Sequence, residues 1–108
     1  MQQIAPEELA THFGATAPLL LDVREPWETA LCSIALPGFP ALAIPMGEIA
    51  QRLDELPTAQ PIVCICHHGV RSLQVVAFLA RNGHRSVYNL AGGIDAWSAR
   101  VDPAVPRY

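Results

Sequence analysis

No apolar run in this sequence approaches the length needed to cross a bilayer. The opening stretch MQQIAPEELA has neither a basic region nor an apolar core, so no secretory leader is expected. Cysteine is sparse: three in 108 residues do not make the disulfide framework of a small secreted domain. Positive charge is short as well. Seven Lys and Arg against ten Asp and Glu leave a formal net charge of −3, which argues against a general nucleic-acid-binding surface. No repeat and no linker interrupts the chain. Apolar residues, by contrast, are plentiful. At 51% hydrophobic the chain can build a real core, and disorder is not expected. The length fits one compact domain over residues 1–108, with 100–108 as a tail packed across the surface. The expectation is a soluble protein of a reducing compartment, most simply the cytoplasm, with neither nucleic acid nor membrane as partner.

The richest stretch is 61–83, PIVCICHHGVRSLQVVAFLARNG. Ile62-Val63-Cys64-Ile65 has no polar alternation and is rich in β-branched residues, as in a strand covered on both faces. Cys66 follows it. From Ser72, Leu73, Val76, Ala77 and Ala80 recur at helical spacing, with Val75 and Leu79 widening the stripe. Gly83 is a good left-handed stop. The spacing therefore predicts strand, tight loop and helix, with a cysteine at the first loop position. Such a loop turns several backbone N–H groups inward, and the helix dipole adds positive potential. A cysteine at its mouth is expected to favour the reactive thiolate. Arg71 offers a fixed charge and a fork suited to an oxyanion. His67 and His68 add charge if protonated, and Gly69 permits the bend.

Cys66-His67-His68-Gly69-Val70-Arg71-Ser72 resembles the active-site loop of the rhodanese family of sulfurtransferases. Leu21-Asp22-Val23-Arg24-Glu25-Pro26-Trp27-Glu28 resembles that family's Asp-Val-Arg-Glu segment after a strand. Ala91-Gly92-Gly93-Ile94-Asp95-Ala96-Trp97 is similar to its Gly-Gly turn into a tryptophan-bearing helix. Two departures stand out. Ser33 occupies a place where the family commonly has histidine, and Ala35-Leu36 with Phe39-Pro40 lengthen the neighbouring loop. The resemblance covers nearly the whole chain. It implies an α/β fold, a three-layer sandwich with a five-stranded, mostly parallel sheet flanked by helices on both faces. It also implies a catalytic Cys66 that accepts a sulfane sulfur as a persulfide, cradled by residues 67–72. Asp22, Arg24 and Glu25 would support the site through an internal ion-pair network.

The remaining elements follow from local patterns. Gln2-Gln3-Ile4 reads as an edge strand. Pro6 starts a helix ending at Gly14, with Leu9, His12 and Phe13 near one face and His12 at the surface. Pro18 to Val23 reads as a buried strand, Arg24-Glu25-Pro26 as a turn and Trp27 to Ile34 as a short helix. Gly47 to Leu56 reads as a helix and Ser86 to Leu90 as a strand, while Ile44-Pro45-Met46 resembles the rhodanese family's short strand before the next helix. Trp97 is expected in the core.

The implied chemistry is a two-step transfer from a small anionic sulfur donor such as thiosulfate to a thiol, or to cyanide, with no cofactor and no metal. Arg71 either holds the donor's oxyanion or shapes the loop. Three rivals are weighed against this. Against phosphatase or arsenate-reductase chemistry stands the loop size, since cysteine phosphatases place five residues between cysteine and arginine. Here there are four, a smaller ring of amides that suits a sulfur atom better than a phosphoryl group. A metal site at Cys64, Cys66, His67 and His68 lacks a distant matching pair of ligands, and Cys64 is expected to be structural. A non-catalytic binding or sulfur-carrier module of this fold remains the alternative. Cys32 is either a small buried hydrophobe or a second thiol.

Overall fold

Ile62–Ile65 (β4) is buried along its whole length, and the sheet grows outward from it. The computed structural model describes residues 2–108; residue 1 of the expected domain lies outside the described residues. The other strands are Gln2–Ile4 (β1), Leu19–Asp22 (β2), Ala41–Ala43 (β3) and Val87–Leu90 (β5). Their order is β1-β5-β4-β2-β3, and every neighbouring pair is parallel. Pro26–Leu31 (α1), Val70–Arg81 (α2) and Gly93–Arg100 (α3) are the α-helices.

A sheet covered on both faces needs apolar residues at odd and even strand positions alike, and this one has them. Leu19, Leu21, Ile62, Cys64 and Val87 face one core with Val75, Val76 and Leu79 of α2. Leu20, Val63, Ile65 and Leu90 face the other, with Ile94 and Trp97 of α3, Leu9 and Val105. The parallel register brings Asp22 level with Ile65 and Cys64 level with Asn89. The carboxyl ends of β2, β4 and β5 thus open onto one edge, where α/β sheets place their sites.

Two expected helices take a tighter form. Residues 6–8 make a 3-10 turn that continues as turns to Gly14, and residues 46–48 and 50–55 are 3-10 segments broken at Arg52 (φ −120°, ψ 21°). Segments this short are marginal as α-helices, so packing decides their form. Ile49 and Leu56 still reach the core, through i→i+3 bonds such as Leu56 N–H to the Leu53 carbonyl (3.0 Å). The strand expected at 44–46 lies instead at 41–43. Pro45 has no N–H for the ladder, so pairing stops before it. The Ile44 and Met46 amides continue the attachment, to the Asp22 and Val23 carbonyls (3.0 Å each).

Candidate active site

At the carboxyl end of β4 the chain turns through Cys66, His67, His68 and Gly69 into α2. Gly69 has φ +91°, which L-residues rarely adopt, and a side chain there would press on the Gly92 amide 3.1 Å away. The carbonyls of Cys66 and His67 point away from the loop's interior, accepting from the Ile94 and Asp95 amides at the start of α3 (2.9 and 3.0 Å). With its carbonyls drawn off, the loop can turn amides inward. The Gly69 N–H donates to the Cys66 Sγ at 3.0 Å, and the Ser72 Oγ lies 3.2 Å from the same sulfur. Asn89 of β5 fixes this arrangement from behind. Its Nδ2 donates to the Gly69 carbonyl (3.1 Å) and to Gln3 Oε1 (3.0 Å), which turns its Oδ1 toward the Ser72 hydroxyl. Cys66 is 1% exposed.

A charged network stands beside the loop. Arg71 forks onto Glu28 with both terminal nitrogens (2.6 and 2.8 Å). Glu28 is buried, and the Arg71 fork, joined by the Tyr108 hydroxyl, overcomes the cost of burial and holds its carboxyl down at about 2. Arg24, also buried, grips Asp22 (2.8 and 2.6 Å) and the Cys32 carbonyl (2.7 Å). Tyr108 links the two pairs. Its hydroxyl donates to Glu28 Oε2 (2.7 Å) and accepts from Arg24 (3.1 Å). Burial, with the Glu28 charge beside it, pushes the phenol up to about 12 against the pull of Arg24. The Tyr108 ring stacks on His67 (3.9 Å between centroids, 9° between planes), and His68 stacks on His67 as well (3.9 Å, 26°). Burial and the neighbouring His68 keep the His67 imidazole biased toward its neutral form.

The family comparison decides what this arrangement belongs to. The rhodanese-like domain profile matches residues 5–100. This chain is a member of the rhodanese-like family. It is 37% identical over 106 residues to a sulfurtransferase of Allochromatium vinosum, covering 97% of this chain and 95% of that one. It is 41% identical over 91 residues to the chloroplastic rhodanese-like/PpiC domain-containing protein 12 of Arabidopsis thaliana. That match takes in 82% of this chain but only 30% of the plant protein's length. Among solved structures, a rhodanese-related protein of Thermoplasma volcanium superposes with a TM-score of 0.82 at 30% identity, over the full length of both chains.

The structure places the residues of the expected loop as follows. Cys66, Gly69 and Ser72 converge, His67 is half-buried against Tyr108, and His68 is exposed with its Nδ1 3.9 Å from Asp95. Val70 is the exposed first residue of α2. Arg71 faces Glu28, with both terminal nitrogens on its carboxylate. The internal network around Asp22 and Arg24 is present, but its second carboxylate is Glu28; Glu25 is exposed and meets Glu28 through its backbone, its N–H donating to Glu28 Oε1 (3.1 Å) and its carbonyl accepting from the Glu28 N–H (2.9 Å). Cys64 packs in the core, where burial foremost pushes its thiol up to about 12. Cys32 is half-buried with its Sγ 3.9 Å from Arg24. Among the described residues no three His, Cys, Asp or Glu side chains converge as a metal would need. Glu28, Asn89 and Tyr108 escaped the sequence reading. Only Asn89 left a signal: one amide in the otherwise apolar strand VYNL, just before the Gly-Gly turn.

Proposed function

We propose that the chain is a sulfurtransferase that carries a sulfane sulfur on Cys66. The Cys66 thiolate attacks the outer sulfur of a donor such as thiosulfate. A new S–S bond forms, the donor's S–S bond breaks, and sulfite leaves with its electron pair. The terminal sulfur of the Cys66 persulfide is then attacked by a thiolate, or by cyanide. That step yields an organic persulfide or thiocyanate and returns the Cys66 thiolate. This is covalent nucleophilic catalysis with ping-pong kinetics.

The observation that carries the reading is the pair of contacts on Sγ, the Gly69 N–H and the Ser72 Oγ, inside a loop whose carbonyls are turned onto α3. The Gly69 N–H so placed stabilises negative charge on sulfur without reorganising during the reaction, while the Ser72 proton is held by Asn89 Oδ1 and its Oγ fixes the sulfur's position by contact. The Arg71–Glu28 fork weighs against phosphatase chemistry, because it commits the guanidinium to an internal carboxylate. Three free thiols suit a reducing compartment, and the cytoplasm is the proposed location. No helix among the described residues is long and apolar enough to cross a membrane. The test is steady-state thiocyanate formation from thiosulfate and cyanide. Parallel initial-rate lines that vanish in Cys66→Ser are expected; turnover surviving that substitution would refute the assignment.

A further inference from the structure

We propose that Tyr108 is a positioning residue that clamps the active-site loop at both ends; this rests on the sulfurtransferase reading above. One end of the loop is His67, next to the nucleophile. The Tyr108 ring lies flat on it at 3.9 Å, with His68 near its centroid at 3.9 Å as well. The other end is Arg71. The Tyr108 hydroxyl donates to Glu28 (2.7 Å), and Glu28 in turn forks onto Arg71 (2.6 and 2.8 Å). The hydroxyl's accepting side takes the Arg24 guanidinium (3.1 Å), so both its hydrogen-bonding roles are spent on charged groups, of which Glu28 reaches the loop through Arg71.

The segment carrying Tyr108 is itself fastened to α3. Val105 is buried, the Ser98 hydroxyl donates to the Val105 carbonyl, and Arg107 forks onto Asp95 (2.9 and 3.1 Å). Asp95 also supplies the amide that holds the His67 carbonyl (3.0 Å). Loop, α3, tail and Tyr108 therefore form a closed circuit of contacts that starts and ends at His67, next to Cys66. A clamp of this kind keeps the loop amides aimed at sulfur before reaction, which acts on the chemical step more than on donor binding.

The test uses the full chain with Tyr108→Phe, Tyr108→Leu, Glu28→Gln and the Tyr108→Phe/Glu28→Gln double variant. Thermal midpoints, kcat and KM for thiosulfate, and the rate of Cys66 alkylation by iodoacetamide are measured for each. Tyr108→Phe keeps the stack and loses the hydroxyl; Tyr108→Leu loses both. The expected kcat falls by about threefold in Phe and about tenfold in Leu, with KM within about twofold. In the Glu28→Gln background Tyr108→Phe costs less than it does in wild type, because one of the hydroxyl's two partners is Glu28. Additive losses in that cycle, or wild-type kcat in Tyr108→Leu, overturn the clamp. Should Tyr108→Leu fail to fold, the cycle decides alone. If wild-type protein transfers no sulfur, the sulfurtransferase reading fails and alkylation still decides the clamp. Buried Cys66 is then expected to react about tenfold faster in Tyr108→Leu at matched folding, since a loosened loop exposes it. An unchanged rate overturns the proposal.

Discussion

Glu28 is 2% exposed, its carboxylate forked by Arg71 and capped by the Tyr108 hydroxyl. Its folded pKa near 2 lies below its ordinary value of 4.5. A carboxyl depressed on folding stabilises the protein fully above the unfolded value, and loses that stabilisation as pH falls toward the folded one. At about 1.4 kcal/mol per unit, a few kcal/mol are at stake. Denaturant midpoints of wild type and Glu28→Gln are therefore expected to differ most at neutral pH and to converge between about pH 4.5 and 2. A constant gap across that window would show that the carboxylate's charge is not the source. Asn89→Ala should cost about 1–3 kcal/mol in urea denaturation, because it strips partners from the Ser72 hydroxyl, the Gly69 carbonyl and Gln3. At this scale the site was half legible. Cys66, Gly69 and Ser72 sit within one short motif. Arg71 meets a carboxylate 43 residues away, and Glu28 meets a phenol 80 residues away, so no local pattern announces either pair.

The elements that carry the site were readable because their patterns are strong. β4 is uniformly apolar, α2 has a helical stripe, and Gly83 ends α2 with φ +93°. The segments 6–14 and 47–56 misled, since their apolar spacing suits an α-helix but packing against the core draws them into 3-10 turns. The Gly92-Gly93 turn has a stricter requirement. Gly93 has φ +64°, and a Cβ there would overlap the carbonyls of Cys66 and His67. Gly93→Ala should thus displace the loop from α3, lowering both the denaturant midpoint and the sulfur-transfer rate. Gly47 has open space around it and no positive φ. Gly47→Ala is expected to leave both measurements near wild type. Equal behaviour of the two variants would contradict the close loop–α3 packing.

Across the whole molecule, both faces of one parallel sheet are buried, which leaves the sheet's carboxyl edge for chemistry. Leu21, fully buried in β2 level with Cys64, is central to one of the two cores. Leu21→Ala is expected to cost about 2–5 kcal/mol by urea denaturation. A loss under 1 kcal/mol, on the order of a surface substitution, would mean that this core is loosely packed. The net charge of −3 leaves long-range attraction of anions weak, so in the proposed reaction donor recognition would fall to the loop itself. The most direct test of that account is an intact mass of reduced protein after incubation with thiosulfate, run beside Cys66→Ser and beside a chromogenic phosphate ester. The account predicts one added sulfur atom on wild type alone and no phosphate release. An unmodified wild type with its fold intact, or phosphate release that depends on Cys66, would contradict it.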